Sequence, residues 1–262
     1  ESRFQDKTQR LRKVAATCLV IFVTIYVSAQ IDATGTAFES FLGIDYYMGA
    51  FIGFAVVMAY IVSGGFVAVV WSDVFQGTLM FLGLVTLPVV ALMSIGGWGE
   101  MMTALSTIDP HLTSLSGPGG WSGIRVLEII GLSLIGLGFL GSPQIFVRFL
   151  SLKDEKEIAP GAATALVWTL LADSGAVVTG MVGRAILAPA GTSADLLGNG
   201  GQNVLPLLVE QALPAMLVGL FIAIVLSAIM STVDSLLVVA SSAAVRDWYQ
   251  LVIHPDMPDE AL

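Results

Sequence analysis

The chain has 262 residues, of which 56% are hydrophobic and only 12% charged, and its mean hydropathy is +0.87. Soluble domains carry about 25% charged residues, so this composition excludes an ordinary globular protein and points to an integral membrane one. The net charge of −9 is scattered over loops and ends without a basic stripe, which leaves no nucleic-acid partner, and the single cysteine, Cys18, excludes an internal disulfide.

Glu1 opens the chain with neither an initiating methionine nor a leader and cleavage site, so the sequence reads as a segment of a longer polypeptide. Arg3, Lys7, Arg10, Arg12 and Lys13 precede a first apolar stretch at about 14–38. Others follow at about 47–63, 66–95, 126–150, 159–187 and 217–240, each meeting or approaching the ~20 residues that a helix needs to cross hydrocarbon. The expected fold is all-α, with six transmembrane helices in a single membrane domain, or part of one, over 1–262. Arg148, Lys153 and Lys156 separate the fourth stretch from the fifth, and Arg246 follows the sixth. By the positive-inside rule these cations and both ends of the segment are cytoplasmic, leaving Arg125 and Arg184 near the outer side.

Between the stretches, 96–123 is a long outer connection with an amphipathic patch at 101–105 and turn chemistry at 116–120. A second outer loop covers 188–202, and 204–212 reads as a short surface helix before Pro214. Gly49 and Gly53 form a GxxxG pair suited to close helix packing. In the fourth stretch, Gly136, Gly138, Gly141 and Pro143 lower helix stability and remove a backbone donor, which predicts local unwinding. Irregular backbone at membrane depth is tolerated only beside protein or a watery cavity; the plainer reading is a proline kink with glycines for packing.

The sixth stretch holds Ala228-Ile229-Met230-Ser231-Thr232-Val233-Asp234-Ser235. Ala228, Ser231, Thr232 and Ser235 stand at i, i+3, i+4 and i+7, on one narrow helical face. That face either lets another backbone approach closely, or gives hard oxygen ligands to a small cation such as Na⁺. Two further intramembrane carboxylates, Asp32 and Asp173, are functional suspects because burying them in a bilayer is expensive. His111 and His254 lack metal-ligand spacing, and no hydrolase constellation is present, so an enzyme is not expected.

Three motifs carry a family resemblance: the 228–235 segment; Tyr60-Ile61-Val62-Ser63-Gly64-Gly65-Phe66 with Trp71-Ser72-Asp73-Val74-Phe75-Gln76; and Gly136-Leu137-Gly138-Phe139-Leu140-Gly141-Ser142-Pro143. Together with Thr24-Ile25-Tyr26 and Phe38-Glu39-Ser40, they resemble the sodium/solute symporter family, and within it the sodium/proline branch. The resemblance implies an inverted-repeat fold of ten core helices, of which the six here look like helices three to eight. It implies a bacterial inner-membrane carrier that couples Na⁺ to a small organic solute, a proline-like amino acid or an organic acid, by alternating access. Symporter-like sensory domains of bacterial histidine kinases are the alternative. By the same resemblance Ala228 offers a carbonyl, and Ser231 and Thr232 offer hydroxyls, to sodium, while Asp73 and Asp234 belong to the coupling machinery.

Tyr26 matches a family aromatic at the solute site, and Gln30, Ala33 and Ala37 share its helical face. The solute wall is completed by the broken span at Ile135, Phe139, Ser142 and Gln144. Ile135 and Phe139 stand where the proline branch has a tryptophan and a tyrosine, so two hydrogen-bonding aromatics are replaced by apolar groups.

Overall fold

The computed structural model describes residues 9–117, 120–139, 141–254 and 256–258; Arg3, Lys7, Pro118, Gly119 and Leu140 lie outside them. Among the described residues the secondary structure is helical, and five helices are long and apolar enough to span a bilayer. In hydrocarbon nothing replaces a missing backbone partner, and a helix satisfies its own amides and carbonyls within the segment. An apolar run of this length therefore has no competing conformation.

Helix α1 (Arg10–Leu42) stops at Gly43, whose φ of 63° lets its N–H return to the Glu39 carbonyl at 3.1 Å. Helix α2 (Tyr46–Ser94) starts beneath Asp45, whose carboxylate accepts from the amides of Tyr47 and Met48, both at 3.1 Å. The second and third expected stretches, at about 47–63 and 66–95, are the two helical arms of α2, which part at Gly65 with φ 55° and ψ −146°. At 1.5 Å per residue the 49 residues of α2 would extend about 74 Å if straight, more than twice the ~30 Å of hydrocarbon. Only a sharp change of direction at Gly65 lets both arms remain in the membrane.

The amphipathic patch at 101–105 is helix α3 (Trp98–Ile108), whose buried Met101 and Leu105 face the core. The fourth stretch is broken as expected. Helix α4 (Gly123–Phe139) ends, Gly141 and Ser142 turn back to the carbonyls of Gly138 and Phe139, both at 3.1 Å, and helix α5 (Pro143–Leu150) begins with proline at its first turn. Helix α6 (Ile158–Leu187), the short helix α7 (Val204–Ala212) and helix α8 (Ala215–Ser242) follow, and a π-helical turn (Ala243–Ile253) prolongs α8.

The chain forms two compact units. One comprises residues up to Gly77 together with those from Val225 onward, hence α1, most of α2 and the larger part of α8. Its core is Val23, Val27, Val57, Val233 and Leu236, with Tyr60, Ile61 and Met230 packed against it. Gly49 and Gly53 do serve packing: a Cβ on Gly49 would overlap Phe38, and one on Gly53 would overlap Thr34. The Trp248 indole N–H donates to the Thr17 hydroxyl at 3.1 Å, fastening the π-helical end to α1.

The other unit runs from Thr78 to Ile224. Within it Pro88 has no N–H to give to the Leu84 carbonyl one turn earlier, and that freed oxygen lies against the backbone of Gly175 on α6. A Cβ at Gly175 would collide with it. Gly183, further along α6, gives room in the same way to Val204 of α7.

Candidate functional site

Ala228, Ser231 and Thr232 lie half-buried on α8 in the first unit. Ser231 Oγ donates to the Ala228 carbonyl at 3.0 Å, and Thr232 Oγ1 donates to the same oxygen at 3.3 Å. The expected face is therefore real in the sense that three oxygens gather at one level of the helix. It is also self-satisfied, because each hydroxyl proton already has an acceptor in the preceding turn.

One helical step away, Asp234 is fully buried. Its Oδ2 accepts from the Tyr60 hydroxyl at 2.7 Å and from Ser72 Oγ at 3.1 Å, and its Oδ1 accepts from Ser235 Oγ at 3.2 Å. Ser235 also reaches Asp73 Oδ2 at 3.5 Å. A hydroxyl carries a single proton, so Ser235 serves one of the two carboxylates at a time and joins them into one network. The Gln76 carboxamide lies against the Tyr60 hydroxyl, and its own Oε1 is buried without a hydrogen-bond partner. The coupling residues named from the sequence, Asp73 and Asp234, are thus brought together.

Ser235 belongs to the hydroxyl face read from the sequence, whereas Tyr60 and Ser72, which complete this network with Gln76, were not singled out as site residues. The available signal was their common character. They are polar groups in otherwise apolar helices, and Tyr60, Ser72 and Gln76 lie on either side of the gap between the second and third apolar stretches.

Of the solute residues, Tyr26 and Gln30 sit on α1 in the first unit, with Tyr26 41% exposed. Ile135, Phe139, Ser142 and Gln144 sit around the α4–α5 break in the second unit, with Ile135 and Phe139 exposed and Ser142 and Gln144 half-buried. Asp32, in the C-terminal half of α1, accepts a short hydrogen bond from the Tyr46 hydroxyl, so this suspect carboxylate has a local partner. Among the described residues there is no His/Cys/Asp/Glu group suited to a bound metal cofactor.

A family model for the sodium:solute symporter family matches residues 1–262, and the chain belongs to that family. With its five apolar helices it is an integral membrane protein. It is 35% identical over its whole length to the high-affinity proline transporter PutP of Bacillus subtilis, covering 54% of that protein. It is 32% identical, again over its whole length, to the osmoregulated proline transporter OpuE of the same organism, covering 51%. A sodium/proline symporter of Staphylococcus aureus is 32% identical over 253 residues, 96% of this chain and 47% of that protein. The chain therefore spans about half the length of these relatives, which are transporters and not enzymes.

Proposed function

We propose that the protein containing this chain is a secondary active transporter, in which sodium moving inward down its gradient drives uptake of a small organic solute by alternating access. Sodium is a transported substrate in this reading and not a resident cofactor. The observation that carries it is the gathering of the Ala228 carbonyl and the Ser231 and Thr232 hydroxyls at one level of α8. Neutral, hard oxygens suit a hard monovalent cation. Turning each hydroxyl's lone pairs toward an ion leaves its proton on the Ala228 carbonyl or frees it for a neighbour.

Asp73 and Asp234 then form the coupling element, since a hydroxyl shared between two carboxylates changes allegiance when a cation arrives nearby. Solute contacts in this reading fall to Tyr26 and Gln30 within the first unit and, separately, to Ile135, Phe139, Ser142 and Gln144 within the second. The names of the relatives favour proline or a similar amino acid. The apolar Ile135 and Phe139 favour a site that holds the solute's ring or aliphatic part by packing and leaves its charged groups to other contacts. The bilayer is a bacterial inner membrane, with both ends of this segment on the cytoplasmic side.

The test is uptake into proteoliposomes by the full-length protein, with a panel of small amino and organic acids and an imposed Na⁺ or H⁺ gradient. Concentrative uptake of one solute that depends on the Na⁺ gradient is expected. Uptake driven by H⁺ alone, or no uptake of any solute by protein that binds none of them, overturns the reading.

A further inference from the structure

Helix α2 bends at one point, and one side chain of α8 is bonded to both sides of the bend. Gly65 supplies the dihedral angles of the turn, and Gly64 supplies the room, because a Cβ at Gly64 would stand 2.5 Å from the Ala68 Cβ on the far side of it. Tyr60 lies five residues before Gly65 and Ser72 seven after it, about 7.5 and 10.5 Å along their arms. Both hydroxyls donate to the same oxygen, Asp234 Oδ2, at 2.7 and 3.1 Å. The carboxylate is fully buried, and all of these residues belong to the first unit.

The two donors are not equivalent. Tyr60 is seated with Ile61 against the core of Val57, Val233 and Leu236, so packing also holds the first arm to α8. Ser72 Oγ has a second acceptor, the Val69 carbonyl one turn back in its own arm, at 2.9 Å. A hydroxyl has one proton to give, so Ser72 either clasps Asp234 or closes on its own helix. Letting go of Asp234 therefore leaves no orphaned donor in apolar surroundings. The next residue, Asp73, meets Ser235 at 3.5 Å, so a movement of this arm that frees Ser72 also takes Asp73 out of the network.

We infer that Asp234 and Ser72 form a releasable latch on the α2 elbow. With Ser72 on Asp234 the arms are held together; with Ser72 on Val69 the turns that follow Gly65 swing away from α8 and carry Asp73 with them. Tyr60 is a positioning residue, because it keeps Asp234 Oδ2 turned toward the second arm. The latch deepens the coupling role proposed for Asp73 and Asp234 but stands on the geometry of α2 and α8, and its experiment reads the elbow alone, so its failure and a failure of sodium-driven uptake are separate results.

Hydrogen–deuterium exchange of the full-length protein in lipid nanodiscs, followed peptide by peptide by mass spectrometry, tests it. In the wild type, amides of 62–70, around the elbow, should exchange faster than those of 50–58 in the packed first arm; equal protection overturns the hinge, whatever the variants do. Ser72→Ala removes the latch and should speed exchange of 62–70 at least about fivefold, with 50–58 unchanged. Tyr60→Phe leaves the bond from Ser72 to Val69 intact and should speed the same residues. The double variant should go no faster than the faster single one, because both act through one carboxylate. No change in Ser72→Ala, a change in Ser72→Ala alone, a double variant whose effects multiply, or equal acceleration of 50–58 each overturns the latch.

Discussion

Ser231 and Thr232 each donate to the Ala228 carbonyl, an arrangement compatible with holding an ion and with merely satisfying their own helix, so only substitution separates the roles. Replacing Thr232 by serine keeps the oxygen, and sodium activation of transport should change little. Replacing either residue by alanine removes an oxygen while preserving small size and helix propensity. Each alanine variant should raise the sodium concentration for half-maximal transport at least about tenfold, equivalent to roughly 1.4 kcal/mol. Solute affinity should fall most at low sodium and recover partly at high sodium, because linkage between two ligands is reciprocal. Normal sodium activation in the double alanine variant, at normal protein level in the membrane, removes both residues from an ion site. These hydroxyls were legible because an apolar run makes any oxygen conspicuous. Tyr60 was not: its ring satisfies the core pattern, and only the fold reveals that its hydroxyl ends on a carboxylate 174 residues away in sequence.

At the scale of the element, α2 shows how one residue decides an architecture. The apolar stretches expected at 47–63 and 66–95 part at Gly64-Gly65, and the structure concentrates the break in a single pair of dihedral angles at Gly65. Positive φ with strongly negative ψ is a region that a Cβ makes costly, by about 1–3 kcal/mol. Gly65→Ala should therefore lower thermal stability in detergent by that amount, whereas Gly77→Ala, in ordinary helix with open space around it, should not. Equal stability of the two variants would mean that the turn is not confined to Gly65. Helix bounds elsewhere were readable to within a few residues, since hydrophobic length sets them.

At the scale of the whole molecule, the sequence predicts sidedness from its cations. In a background free of Cys18 and other cysteines, Lys153→Cys and Arg246→Cys should react with an impermeant thiol reagent only after the membrane is opened, and Ser193→Cys should react in intact cells. Ser193 is the better outer probe, because Ser116 is buried and bonded to Ser114. Labelling of Lys153→Cys from outside would invert the topology. The all-α class, the break between α4 and α5, and the family were all visible before any coordinates. The division into two units was not, since it depends on which helices meet and not on how apolar each one is.

The meeting of Leu84, Pro88 and Gly175 has a mechanical consequence. Sliding α6 lengthwise along α2 would drive a side chain into the carbonyl that Pro88 leaves bare, because Gly175 is followed on the same buried face by Ala172 in one direction and Thr179 in the other. Tilting about that point keeps the glycine opposite the oxygen throughout. Relative motion of these two helices is therefore geared to rotation: the seam acts as a fulcrum, and displacement grows with distance from it toward either face of the membrane.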